Sequence, residues 1–208
     1  QEKPDEDQFI SEVLENTDVI PLLFSIIETD KGKIKFYCNK VIQIISERQP
    51  QLIYPNFNEV ANLIHASNSF IKWGTIITLS NLIAVDEDNR FAAIYEEYLD
   101  LIDSESMITA ATVVGNVWKI IKKNPTCEND IIQRMLRITE NIYLNKGEPS
   151  PECNNVLIGH AIDCFDKYFE MSNNKEQIKD FIAAQIDNPR SQVSNKAKVF
   201  LKKHESAL

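Results

Sequence analysis

Residues 71–82 read IKWGTIITLSNL, and this stretch decides the fold class. Ile71, Thr75, Leu79 and Leu82 stand at offsets 0, 4, 8 and 11 within it. On a helix of 3.6 residues per turn these four positions fall within about 80° of arc, so they share one face. The alternation of every second residue that marks a half-buried strand is weak here and along the rest of the chain. The stretch therefore predicts an amphipathic helix in an all-α protein.

The same spacing of apolar or small residues returns in four other segments. Residues 34–45 read IKFYCNKVIQII and open on the same Ile-Lys-aromatic triplet. The other three segments begin at Met107, Leu157 and Val193, so successive starts are 37, 36, 50 and 36 residues apart. The long interval contains the loop 145–151, which explains it as an insertion. Five segments at near-constant spacing predict an internal repeat rather than an ordinary helical bundle.

Prolines and polar turns divide the chain into helical stretches. Proline lacks the backbone N–H and clashes with the preceding turn, so helices should end before Pro50, at Asn124-Pro125 and at Asn188-Pro189. The expected helical stretches are 5–15, 18–29, 31–48, 56–65, 69–84, 90–102, 105–123, 128–144, 152–171, 175–187 and 190–204. Because their connections are short, the natural unit is a helical hairpin.

The second helix of each pair resembles that of HEAT repeat proteins. In that family this helix carries an apolar residue followed by a basic one, then a small residue, then leucines. The matching residues are Ile34-Lys35, Ile71-Lys72, Ala161 with Phe165, and Ala197 with Leu201. The third repeat departs from the pattern, with Gly115 where leucine is usual.

The resemblance covers roughly residues 18–204 and implies an α-α superhelix, or solenoid, of about five HEAT-like hairpins. We expect residues 1–208 to form a single domain of this kind, with the acidic segment 1–17 as an N-terminal capping helix. Residues 68–74 and 159–163 look like stretches of microbial HEAT-like proteins of unassigned function. Such stacks usually serve as scaffolds or binding surfaces.

Composition and charge argue against several classes of function. The 208 residues include 22 Lys and Arg against 31 Asp and Glu, a formal net charge of −9. Nucleic-acid binding needs clustered basic residues to neutralise phosphates, so no nucleic-acid partner is expected. No apolar run approaches the roughly 20 residues that span a membrane, and no signal peptide is recognisable. We therefore expect a cytoplasmic protein without a membrane partner.

No pattern indicates a catalytic, cofactor or metal site. Asp86, Asp88 and Glu97 stand at positions 1, 3 and 12 of a calcium loop, but Arg90 and Phe91 replace the required ligand and glycine. We interpret this segment as a polar turn with a helix cap. No motif of nucleophilic or metal-dependent catalysis is present, so the protein is not expected to be an enzyme.

The histidines and cysteines give no metal motif either. His160 and Cys164 stand one helical turn apart, but zinc needs three or four ligands. The four cysteines, at positions 38, 127, 153 and 164, form no CxxC pair. Buried free thiols are expected at Cys38 and Cys164, which lie in apolar stretches, with a disulfide as the alternative.

An acidic strip runs along residues 86–105, with eight acidic side chains and one basic one. Two interpretations remain open for it. The strip is either the solvated outer face of a helix or a docking surface for a basic partner.

The expected binding surface lies opposite the repeated core face, at offsets 2 and 9 of each second helix. In HEAT-like stacks the second helices line the concave surface. The predicted partner-binding residues are Phe36, Trp73, Gln43, Ser80, Asn116 and Asp166. Adjacent aromatic side chains beside polar ones are typical of binding hot spots. Packing between neighbouring repeats is the alternative explanation for the two aromatic residues.

The favoured function is therefore non-enzymatic binding of a protein partner through the concave face. One alternative is an enzyme of the HEAT-like DNA alkylation repair class, which would need a basic groove. Another is a lyase-like module acting on a protein-bound chromophore, for which no residue pattern speaks specifically. Neither the partner's identity nor the oligomeric state follows from the sequence.

Overall fold

The computed structural model describes residues 6–205, and helices make up most of them. The α-helices are α1 (Glu6–Glu15), α2 (Ile20–Thr29), α3 (Ile34–Arg48), α4 (Pro50–Ile53), α5 (Phe57–Asn62), α6 (Ser69–Leu82), α7 (Tyr95–Asp100), α8 (Met107–Val114), α9 (Trp118–Lys123), α10 (Glu128–Leu136), α11 (Pro151–Asp166), α12 (Lys175–Ala183) and α13 (Ser191–Lys203). Short 3₁₀ turns extend or join many of these helices. The all-α prediction is confirmed.

Side-chain caps begin two of the helices that carry the repeat. The Oδ1 of Asn68 accepts hydrogen bonds from the backbone N–H groups of Phe70 and Ile71, at 3.0 and 3.3 Å. The side chain of Ser106 accepts one from the N–H of Thr109, at 3.4 Å. These bonds satisfy N–H groups that have no partner within the helix, so they fix where α6 and α8 begin.

The helix expected over 128–144 is too long, because α10 ends at Leu136 and a β-hairpin follows. Strand β1 (Leu144–Asn145) pairs antiparallel with β2 (Glu148–Pro149), and Lys146 and Gly147 between them have φ values of 53° and 85°. Two residues of positive φ form the tight turn that hairpins favour. The backbone N–H of Leu144 also donates to the carbonyl of Glu105 at 2.9 Å. Tertiary hydrogen bonds thus override the helical periodicity of this segment.

The structure also differs from the sequence-based expectation at Pro50 and around Gly115. Pro50 does not only follow α3 but opens α4, because proline suits the first turn of a helix, where its missing N–H needs no partner. The stretch 105–123 is broken into α8 and α9 around Gly115. This break shifts the helical phase, so Val117 is fully buried while Trp118 is partly exposed.

The chain forms two compact units, Gln1–Tyr95 and Glu96–Leu208. In the first unit α3 packs against both α2 and α6, and α1 also contacts α3. The rings of Phe9 and Tyr37 lie 5.3 Å apart across that last contact. The role of segment 1–17 as a cap stays a prediction, and residues 1–5 of it lie outside the described residues.

In the second unit α11 packs against α8 and α13, and α12 also packs against α13. The phenolic oxygen of Tyr143 donates to the carbonyl of Ile102 at 3.0 Å, which ties the residue before β1 to the core of this unit. Asn154 on α11 donates to the carbonyls of Ile138 and Asn141, both at 2.8 Å. Hydrogen bonds from the buried Tyr143 and the partly buried Asn154 therefore anchor the segment around the hairpin within this unit.

The repeated face at offsets 0, 4, 8 and 11 is largely buried. Its buried members are Cys38, Ile42, Ile45, Ile71, Thr75, Leu79, Leu82, Ala111, Leu157, Ala161, Phe165, Tyr168, Val193, Ala197 and His204. Ile34 departs from the pattern, since it is the first residue of α3 and is 61% exposed. Met107, Gly115, Trp118 and Leu201 are partly exposed.

Candidate binding groove between α3 and α6

A cavity of about 530 Å³ lies between α3 and α6 in the first unit. Its lining residues are Phe36, Asn39, Lys40 and Gln43 on α3, Asn68 before α6, and Phe70, Trp73, Gly74 and Ile77 on α6. Each helix contributes residues at i, i+3, i+4 and i+7, the spacing of a single helix face. We call this cavity the α3–α6 groove. It brings together three of the predicted partner-binding residues, Phe36, Gln43 and Trp73.

Three aromatic rings form a continuous edge-to-face cluster in the α3–α6 groove. The centroids of Phe36 and Phe70 are 6.1 Å apart with ring planes at 72°, and those of Phe70 and Trp73 are 5.2 Å apart with planes at 69°. Aromatic pairs favour this geometry because the positive ring edge meets the negative face. Phe70 is nevertheless 67% exposed. The groove therefore presents apolar ring surface to solvent.

Phe70 was missed by the sequence analysis, although a local signal for it exists. It stands three residues before Trp73, and residues three apart on a helix are neighbours. Phe70 lies one residue before the segment 71–82, so it is outside the offsets that recur between segments. The i, i+3 pair of aromatic residues at the start of α6 could have found it.

Asn39 is a buried polar residue at the floor of the groove, only 6% exposed. Its Nδ2 donates to the carbonyl oxygens of Phe70 and Ile71, at 3.3 and 3.5 Å. A Cβ atom on Gly74 would lie 2.2 Å from this Nδ2, so only glycine leaves room for the amide. Sequence reasoning also missed Asn39, because its role depends on the approach of α6.

The charge of the α3–α6 groove is opposite in sign to that of the chain. In the described part of the chain, Lys40 is the one charged residue that lines it. The Nζ of Lys35 lies 5.4 Å from the centroid of the Phe36 ring, a cation–π contact at the edge of the groove. Asp30 is engaged by the backbone N–H of Lys35, at 3.4 Å from its Oδ2, and does not line the cavity.

Ser80 was expected on the accessible surface, but it is only 1% exposed. Its hydroxyl donates to the carbonyl of Ile77 at 2.7 Å. The second half of α6 is buried on several faces, since Thr78 and Asn81 are buried as well. In this conformation Ser80 is not accessible to a partner.

Asn116 and Asp166 belong to the second unit, where each makes bonds within the unit. The Oδ1 of Asn116 accepts from the Nζ of Lys119 at 2.7 Å. Asp166 accepts from the Nζ of Lys203 and contacts the Nε2 of His204, both at 2.8 Å. Partial burial raises the pKa of Asp166, but the bonds from Lys203 and His204 outweigh it and hold the pKa below its usual range. Asp166 therefore links α11 to the end of α13.

Asp86, from the rejected calcium pattern, acts as a structural cap. Its carboxylate accepts from the backbone N–H groups of Arg90 and Phe91 at 2.8 and 2.9 Å, and from the hydroxyl of Tyr54 at 2.6 Å. Desolvation, then the bond to Asp86, raises the pKa of Tyr54 to about 12. Within residues 6–205 no group of three or more His, Cys, Asp or Glu side chains could hold a metal ion.

Several acidic side chains of the strip 86–105 pair with residues of their own unit. In the second unit Arg134 lies 2.5 Å from the Oε2 of Glu96 and 2.7 Å from the Oδ1 of Asp100. Asn141 donates to the Oδ1 of Asp103 at 2.6 Å. These contacts favour the interpretation of the strip as the solvated outer face of a helix over that of a docking surface.

All four cysteines are free thiols, and Cys38, Cys153 and Cys164 are buried. Burial raises the pKa of the Cys164 thiol to about 12, so it stays protonated near neutral pH. No helix in the described part of the chain combines the length and apolar character needed to cross a membrane.

Comparisons with protein-family models, with curated proteins and with solved structures found no match. The α3–α6 groove is therefore the feature from which a function can be argued.

Proposed function

We propose that the chain is a HEAT-like superhelix of about five hairpins that binds a protein partner and catalyses no reaction. The α3–α6 groove is the proposed binding surface. Support comes from the repeated burial pattern of the second helices and from the equivalent placement of Phe36 and Trp73 at offset 2 of adjacent repeats. The four free thiols favour a reducing compartment, in keeping with a cytoplasmic location.

The exposed Phe70, packed between Phe36 and Trp73, carries the proposal. A phenylalanine side chain buries about 150–250 Å² when it is fully covered, so covering the exposed two thirds of Phe70 removes about 100–170 Å² from water. At about 25 cal/mol per Å² this contributes about 2.5–4 kcal/mol to binding. A partner that covers the ring therefore gains the energy typical of a hot-spot residue.

A groove with three aromatic residues and one lysine differs from the basic groove that DNA alkylation repair would require. Neutralising a phosphate backbone takes several convergent cations. Binding of a protein segment is the better match to this lining.

The test compares Phe70→Ser with Ile142→Ser, a matched control because both side chains are 67% exposed. Each protein is immobilised and used to capture proteins from an extract of the source cells, with quantification by mass spectrometry. We expect proteins that the unchanged chain and Ile142→Ser retain to be lost from Phe70→Ser, with unchanged circular dichroism. Equal retention by all three proteins would refute the groove as the binding surface.

A further inference from the structure

Resting on the proposed function of the α3–α6 groove, we propose that its occupant is a short peptide segment of the partner. This segment carries large apolar side chains beside at least one carboxylate, and it offers a backbone N–H to Asn39. Three features of the groove point to this chemistry: its charge, its unpaired acceptor and its size.

The whole chain carries a formal net charge of −9. Against that background, no carboxylate among residues 6–205 lines the groove, while Lys40 lines it and Lys35 stands over the ring of Phe36. Within the described residues Lys40 is exposed and has no ion-pair partner. A carboxylate on the occupant would meet a cation here, whereas a basic segment would meet an uncompensated lysine.

The side chain of Asn39 supplies the hydrogen-bond acceptor of the groove. Both bonds of its side chain use the Nδ2, and among residues 6–205 no donor reaches its Oδ1. The Oδ1 is not among the buried side-chain atoms that lack a hydrogen-bond partner, so it keeps contact with solvent in the groove and is open to a donor on a bound molecule. A peptide backbone N–H is such a donor, and it is neutral, as the apolar surroundings of Phe36, Phe70 and Trp73 require.

The size of the groove limits how much of the partner enters it. A volume of about 530 Å³ lies within the range of pockets that take a drug-sized ligand, roughly 300–1,000 Å³. The groove therefore accommodates a few side chains of one segment. The aromatic walls suit Leu, Ile, Phe or Trp, which gain most from leaving water.

The experiment selects peptides from a random display library on the immobilised full chain. We expect enrichment of peptides that combine large apolar residues with Asp or Glu. A synthetic peptide from the enriched set is then titrated by fluorescence polarisation against the unchanged chain, Phe70→Ser, Lys40→Glu and Lys198→Glu. Lys198 on α13 is also exposed, so its reversal is matched to that of Lys40 in net charge.

Lys40→Glu should lower the affinity for the peptide about five- to twentyfold, and Lys198→Glu should change that affinity less than about twofold. N-methylation of one backbone amide of the peptide should weaken binding to the unchanged chain by about fivefold or more, because it removes the N–H that Asn39 accepts.

The failures of the two proposals are distinguishable. Peptides that bind through Phe70 but lack acids and tolerate Lys40→Glu would overturn the acidic occupant and leave the groove as a binding surface. Tolerance of N-methylation at every position would overturn the role of Asn39. Recovery of no peptide, or of peptides indifferent to Phe70→Ser, would overturn the groove itself. If the unchanged chain self-associates in sedimentation experiments and Phe70→Ser abolishes this association, the groove binds a second copy of the chain instead of a peptide.

Discussion

Gly74→Ala should destabilise the protein, although alanine is ordinarily the better residue in a helix. Gly74 lies in the middle of α6 and its Cβ position is 2.2 Å from the Nδ2 and 3.0 Å from the Cγ of Asn39. Atoms cannot approach so closely, so the amide must move. Asn39 is only 6% exposed, and moving its side chain breaks the bonds from its Nδ2 to the carbonyl oxygens of Phe70 and Ile71.

The sign of the effect follows from two magnitudes. Replacing glycine by alanine inside a helix stabilises it by about 0.5–1 kcal/mol. Leaving a buried polar group without its partner costs about 1–3 kcal/mol. The second effect is larger, so we expect a net loss of about 1–2 kcal/mol in the free energy of unfolding. For a chain of this length that corresponds to a fall of roughly 2–8 °C in Tm.

A double-mutant cycle isolates the contact from other effects of the substitution. In an Asn39→Ala background the obstacle is gone, so Gly74→Ala should there stabilise the protein by about 0.5–1 kcal/mol. The four proteins are compared by urea denaturation followed by circular dichroism. If Gly74→Ala has the same sign and size in both backgrounds, the close approach of Asn39 to α6 is not what selects glycine.

Two further predictions concern the second unit. Ala161 is fully buried where α11 packs on its neighbours, and Ala111 on α8 is 8% exposed. Ala→Leu at either position should overpack the interior and lower the free energy of unfolding by about 1–3 kcal/mol, measured from the denaturant midpoint. Unchanged midpoints for both variants would show that the repeat register is wrong. Asp166 has a pKa held below its usual range in the folded protein, so its stabilising contribution is complete above the unfolded pKa of about 4 and is lost as pH falls through the lower folded value. Asp166→Asn should therefore flatten the acid side of a plot of Tm against pH; an unaltered acid slope would contradict the bond to Lys203.

The helical face of the repeats was predictable because it depends on local spacing. Ile71, Leu79 and Leu82 share one side of any α-helix whatever it packs against, and all three are buried in the structure. The opposite face was predictable for the same reason at Phe36 and Trp73, which line one groove. Ser80 shows the limit of this reasoning, because α6 is covered on more than one side and the predicted accessible position is buried.

The sequence alone determined that this protein is helical, that most residues at offsets 0, 4, 8 and 11 are buried in the segments that begin at Ile34, Ile71, Leu157 and Val193, and that Phe36 and Trp73 take equivalent positions in their segments. These follow from periodicity, which each helix carries within itself. Only the tertiary structure decided that residues 144–149 form a hairpin, that Asn39 is buried against α6 beside Gly74, and that the ring of Phe70 on α6 meets that of Phe36 on α3. Those features depend on hydrogen bonds and close contacts between segments some 30 or more residues apart, and no local pattern encodes which segments will meet.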